Sequence, residues 1–257
     1  MRRIVRHSVV AAVLAGALLP APISGASWAS GHGQETERPA QMVALDRVRR
    51  PTEILDFLGL RAGMTVIDLP ADGGYYSEIM ARTVGPRGRV ITLVPDSVRS
   101  GFGPLTRRNS NIELRAALLH ALSPETVTPD EADFALLYIM YHDTYWDEPG
   151  VPPVDPQRML AALHRALKPG GVVGVIDYVG EPGDTRAIVN RLHRIDPATV
   201  RSDFERAGFV LEAESDLLHV PSDDHSRPAI DPAMRGRTDL FVYRFRKPRR
   251  NSQIQED

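Results

Sequence analysis

Apolar and polar positions along this chain fall into two alternating periods, and their order predicts an α/β sheet protein. Thr65–Leu69 is a short apolar run closing on Asp68-Leu69, and Pro70-Ala71-Asp72-Gly73-Gly74 then breaks the pattern. Behind the break, Tyr76, Ile79, Met80 and Val84 recur at helical spacing, and Gly85-Pro86-Arg87-Gly88 ends that helix. Arg89–Val94 is β-branched enough to be a second strand. A glycine-containing turn feeding a helix lets a ligand approach the backbone, and the free N–H groups there favour a carboxylate or phosphate.

The same alternation continues downstream. Asn111–Leu114 reads as a short third strand, and Glu131-Ala132-Asp133 leads into a buried fourth, Phe134–Met140. Pro156–Leu167 is predicted to be a helix with Met159, Leu160, Leu163 and Leu167 on one face and Lys168-Pro169-Gly170 as its stop. Val172–Ile176 is a fifth strand, Pro197–Ala207 a helix, and Phe209–Ser215 and Leu240–Phe245 two last strands. Strands alternating with helices predict a doubly wound, mainly parallel sheet, with ligands at the carboxyl ends of its strands. Upstream, Ala40–Leu60 carries an amphipathic helical pattern interrupted at Arg50-Pro51.

The N-terminus adds a targeting segment. Arg2, Arg3 and Arg6 precede an apolar core, Val9–Leu19, which is followed by Pro20, Pro22 and small residues. The run is shorter than the ~20 residues of a typical span, so residues 1–29 read as a signal peptide and the mature protein as periplasmic or secreted, without a membrane span. Residues 30–43 are expected to be a flexible segment, 44–248 one domain, and 249–257 a flexible tail. The net charge is −2, which gives no footprint for nucleic acid. Arg244, Arg246, Lys247, Arg249 and Arg250 cluster near the chain end and read as a solvated tail. With no cysteine, disulfides, thiolate metal sites and a cysteine nucleophile are excluded.

Arg61-Ala62-Gly63-Met64, the glycine turn, Gly85-Pro86-Arg87-Gly88-Arg89-Val90 and Leu167-Lys168-Pro169-Gly170-Gly171 occur in an order that resembles class I S-adenosylmethionine-dependent methyltransferases. Tyr141-His142-Asp143 with Tyr145-Trp146, Leu192-His193-Arg194-Ile195-Asp196-Pro197, Glu214-Ser215-Asp216 and Arg235-Gly236-Arg237-Thr238-Asp239 also resemble a bacterial family of predicted methyltransferases, many of them exported. The resemblance implies a Rossmann-like, seven-stranded sheet with an antiparallel last strand. It also implies methyl transfer from S-adenosylmethionine to a small-molecule acceptor.

Carried over residue by residue, the resemblance places the cofactor at Asp68, Asp72, Gly73, Gly74, Tyr75 and Val94. Asp68 would hold the turn and the cofactor's amino-acid end. Pro70 and Asp72 stand where related sequences carry glycine, although Asp72 could meet the cofactor's ammonium or sulfonium. Val94 stands where an acid commonly holds the ribose, with Asp96 two residues on. The resemblance also makes Ala40–Leu60 either a lid over the cofactor cleft or a cover for the sheet edge.

His142 and Asp143 follow the fourth strand, where the resemblance implies residues facing the transferred methyl, and His193 is a third catalytic candidate. Methyl transfer is an in-line displacement in which alignment does much of the work. A base is needed only when the acceptor must lose a proton, and histidine suits that role. Asp143 and Asp177 end neighbouring strands and could share magnesium, while Asp223-Asp224-His225 reads as a surface loop; no metal site is assigned. The departures at 70, 72 and 94 leave a second reading open, a catalytically silent exported binding protein on the same fold.

Overall fold

Strands β1 (Thr65–Leu69), β2 (Arg89–Val94), β3 (Ile112–Ala116), β4 (Ala132–Tyr138), β5 (Leu167–Tyr178), β6 (Val210–Ser215) and β7 (Leu240–Arg246) form one sheet. Their order is β3-β2-β1-β4-β5-β7-β6. The computed structural model describes residues 37–69, 73–117, 122–123, 127–147, 150 and 152–249. The expected signal peptide, half of the flexible N-terminal segment, most of the tail, and Pro70 and Asp72 lie outside them. β1 pairs in parallel with β2 and β4, with Ile67 opposite Ile91 on one side and Ala135 on the other. Only β7 runs against its neighbours, β5 and β6. The chain winds one way through β1–β3 and the other way from β4, so the crevice between the ends of β1 and β4 is the switch point where such sheets bind ligands.

Helices cover both faces. On one, α2 (Pro51–Leu58), α3 (Tyr75–Val84) and α4 (Gly103–Arg108) pack on Val66, Val90, Phe134, Leu136 and Ile176. On the other, α5 (Pro156–Ala166), α6 (Thr185–Leu192) and α7 (Pro197–Arg206) pack on Ile67, Ile91, Ala135 and Val173. Continuous apolar runs such as Phe134–Leu137 follow from this, since a strand buried on both faces need not alternate.

The interruption at Arg50-Pro51 divides two roles. Arg50 takes a left-handed conformation, φ 44°, ψ 50°, and separates α1 (Ala40–Arg49) from α2. α2 is the cover: Ile54 and Leu58 are fully buried, and Leu58 leaves no room for a side chain at Gly174, where an added Cβ would lie 2.5 Å from its Cδ1. α1 buries none of its residues and lies over the start of α3 instead. It begins at Ala40, inside the stretch expected to be flexible.

Several expected boundaries move. β3 is shifted to end at Ala116, and β4 ends at Tyr138 because Ile139 turns left-handed, φ 51°. α5 stops at Ala166, and Leu167-Lys168-Pro169-Gly170-Gly171 is the first half of a twelve-residue β5 rather than a helix stop. The proline at 169 disfavours a helical Lys168 and leaves it extended, with its ammonium 2.7 Å from Asp133. Periodicity missed α4 and α6, both short; α6 buries only Val189 and Leu192. The basic cluster is not a solvated tail. Arg244 and Arg246 form ion pairs with Glu212 of β6, and Lys247 Nζ donates to Asp130 and to the carbonyls of His164 and Leu167.

Candidate functional site

The glycine turn lies at the end of β1. Gly73 and Gly74 both take left-handed φ, 57° and 82°, and Gly74 is the N-cap of α3, with no side chain among the described residues capping the helix. The first N–H groups of α3 are therefore offered to a ligand or solvent. Asp68 is buried at the base: Ser77 Oγ donates to its Oδ2 at 2.5 Å, and Thr92 Oγ1 donates to Ser77 Oγ at 3.1 Å. This chain ties β1, α3 and β2 together and sets the turn. Gly74→Ala forces a side chain into left-handed backbone with its Cβ 2.6 Å from Leu105 Cδ2. The expected loss is about 1–2 kcal/mol, read from the urea midpoint.

α1 closes over this turn. Tyr75 Oη donates to Asp46 Oδ1 at 2.7 Å, and Arg38 pairs with the same carboxylate at 2.6 Å. The Arg49 guanidinium lies 4.5 Å from the Tyr75 ring and 4.9 Å from that of Tyr138 at the end of β4. Met42 reaches toward Gly73, 3.6 Å from where a Cβ would stand. The Tyr75 hydroxyl thus ties α3 to α1. Beside it, Tyr76 Oη is buried with no hydrogen-bond partner among the described residues, against the Tyr138 ring at 4.7 Å. Arg38, Asp46 and Arg49 were missed because only their helical spacing before Arg50-Pro51 hints at them.

The second half of the site is a histidine corner after β4. Left-handed Ile139 turns the chain so that a 3₁₀ segment, Tyr141–Tyr145, folds over the end of β5. Asp177, fully buried, receives the His142 backbone N–H at 2.9 Å on Oδ2. Its Oδ1 receives the Tyr178 N–H at 2.8 Å and lies 2.7 Å from His142 Nδ1. On the other side of the ring, His142 Nε2 is 3.2 Å from Asp143 Oδ1. Burial works against the charged ring, but the carboxylates of Asp177 and then Asp143 outweigh it and raise His142 to about 9. His142 therefore holds its proton at neutral pH and does not offer the near-neutral base expected of it. His193 does stay neutral: burial and then the His142 charge push it down. Its ring stands 5.8 Å from that of His142 and 5.3 Å from that of Trp146.

Two buried networks hold these rings in place. Tyr141 and Tyr145 donate to Asp203 of α7 at 2.8 and 2.6 Å. Arg194, next to His193, is fully buried and pairs with Asp223 at 2.9 Å, while donating to the carbonyls of Arg227 and Val179. Asp223 also accepts the Asp239 N–H, and Asp239 in turn meets His219 and His225. Asp223 is therefore the buried centre of the segment expected to be a surface loop, and the His193–Asp196 and Asp239 motifs are its supports. Asp196 caps α7, accepting the Ala198 N–H at 2.8 Å.

The structure brings Asp68, Gly73 and Gly74 together at the turn, and His142, Asp143 and His193 at the corner. The start of α3, uncapped by any described side chain, fits the amino-acid end of S-adenosylmethionine. The end of β2 does not supply the ribose carboxylate. Val94 is buried among apolar side chains, and Asp96 is 79% exposed beside Arg99. Asp72 lies outside the described residues.

No family model matches the chain. A segment of 81 residues is 36% identical to the protein-L-isoaspartate O-methyltransferase of Methanothrix thermoacetophila, covering 31% of this chain and 32% of that protein. The chain spans less than half the length of the curated relatives it matches. Among solved structures, a SAM-dependent methyltransferase from Aquifex aeolicus shares the fold with a TM-score of 0.58 at 18% identity, over 82% of this chain and 99% of that one. A protein from Bordetella parapertussis described as a possible exported protein gives 0.52 at 18% identity, over 82% and 71%. The fold is that of the S-adenosylmethionine-dependent methyltransferases, Rossmann-like with its antiparallel β7.

Proposed function

We infer that this protein transfers a methyl group from S-adenosylmethionine to a small-molecule acceptor seated at the His142–Asp143–His193 corner. The observation that carries the reading is the start of α3 behind Gly73 and Gly74, uncapped by any described side chain and at the switch point between β1 and β4. In the proposed complex the Gly73-Gly74 turn and α3 bind the cofactor's amino-acid end and Asp68 keeps the turn in shape. α1, anchored by Tyr75 on Asp46, excludes water from the cleft. The cofactor supplies the electrophilic methyl; the chain's part is to align an acceptor against it. The Arg2–Ala29 segment supports placing the protein outside the cytoplasm, periplasmic or secreted. Among the described residues no helix is long and apolar enough to cross a membrane.

A second reading, a binding protein without turnover, is favoured by one observation. Buried Val94 offers the ribose no hydrogen bond, which removes a contact worth about 1.5–3 kcal/mol where a carboxylate accepts it. Incubation with methyl-labelled S-adenosylmethionine and a small-molecule extract separates the two. Methyl transfer predicts label in an extractable product, falling by about 100-fold in His142→Ala through lost alignment of the acceptor. Label retained by folded protein without any product supports the binding reading instead.

A further inference from the structure

We propose that His142, Asp143 and His193 form a binding site for a divalent first-row transition metal ion. One ligand atom from each residue lies within 4.8 Å of the other two. The chemistry of the closest pair is the starting point. Asp177 can only accept, so the 2.7 Å contact places a proton on His142 Nδ1 and turns the Nε2 lone pair outward. Nε2 faces Asp143 Oδ1 across 3.2 Å. In the metal-free ring a proton fills this gap, and a metal ion takes the same place once that proton leaves. Metal bonds of ~2.1 Å to adjacent ligands place the ligand atoms roughly 3 Å apart, so the pair already has the spacing of two corners of a coordination sphere.

The surroundings are those of a built site. Asp177 is fully buried and fixes the ring of His142 through both carboxylate oxygens, the arrangement that orients a metal-ligating histidine from behind. His193 is presented in a left-handed conformation, φ 48°, ψ 48°, at the end of α6. Such backbone strain in a residue other than glycine persists only where the surroundings impose it. Here the surroundings are the buried Arg194–Asp223 pair on one side and the Trp146 ring on the other. Two imidazoles and one carboxylate select zinc, ferrous iron or a similar ion over magnesium, which prefers an all-oxygen shell. The donor set differs from the Asp143–Asp177 pair weighed from sequence, because Asp177 is committed to His142 and the Tyr178 N–H. It stands on side-chain geometry alone and does not depend on cofactor binding.

The test is titration of the full chain, stripped with chelator and without S-adenosylmethionine, with Zn²⁺ by calorimetry and Co²⁺ by visible absorption. The expected result is one equivalent bound, with a Co²⁺ ligand-field band, and no heat with Mg²⁺ at the same concentration. Asp143→Asn and His193→Ala each abolish the Co²⁺ band, and Asp177→Asn weakens affinity about 10–100-fold. His219→Ala and His225→Ala, in the neighbouring network, leave it unchanged. Circular dichroism checks that each variant is folded, and partly exposed Asp143 serves if His193→Ala is not. Absence of stoichiometric binding by the folded protein would overturn the proposal. So would a Co²⁺ band that survives Asp143→Asn.

Discussion

Asp223→Ala is expected to destabilise the protein by about 3–5 kcal/mol, the cost of leaving a buried charge without its partner. Arg194 is among the largest fully buried side chains, and its guanidinium has one carboxylate, Asp223, at 2.9 Å, with two backbone carbonyls taking its remaining donors. Removing the carboxylate also strands the backbone N–H groups of Asp239 and His225 that it accepts. Replacing both partners, as Arg194→Met with Asp223→Leu, should recover much of the loss, because the buried charge goes with its counter-ion. Guanidinium denaturation reads both numbers. A single-variant loss below ~1 kcal/mol would mean that the 216–239 segment does not depend on this pair. The consequence reaches the site, because His193 directly precedes Arg194.

The second large effect is a pH dependence carried by His142 in metal-free protein. Its folded value, about 9, lies above the ordinary 6.5, so folding stabilises the protonated ring. That stabilisation is complete below pH 6.5 and is lost as the pH rises through 9. It amounts to something on the order of 3 kcal/mol. Chemical denaturation in the presence of chelator, between pH 6 and 10, should show stability falling across that window. His142→Gln should flatten the fall. Stability that stays level or rises between pH 6.5 and 9.5 would contradict the paired, buried imidazolium.

The parts of the fold legible in the sequence are those specified by neighbours along the chain. β1 and β2 have the boundaries expected from their apolar runs because Pro70–Gly74 and Gly85–Gly88 punctuate them. The break between α1 and α2 is legible for the same reason, through Arg50-Pro51. Long-range pairing was not legible. Leu167–Gly171 looks like a helix stop until β4 is placed opposite it and Ala132 pairs with Leu167. Ile139 is β-branched and reads as strand, yet tertiary contacts hold it left-handed and end β4 there. At the site, position at strand ends found Asp68, His142, Asp143 and Asp177. That Asp177 serves His142 rather than a shared magnesium depends on how two loops fold toward each other. Tyr75 was legible as a residue of the turn, but its hydroxyl belongs to the lid through Asp46.

Methyl transfer by this protein requires that the start of α3 take S-adenosylmethionine. Calorimetric titration of residues 30–257 with S-adenosylmethionine and S-adenosylhomocysteine tests it most directly. One site of micromolar affinity for both, about −8 kcal/mol, is expected. A folded protein that gives no heat with either at millimolar concentration would contradict it.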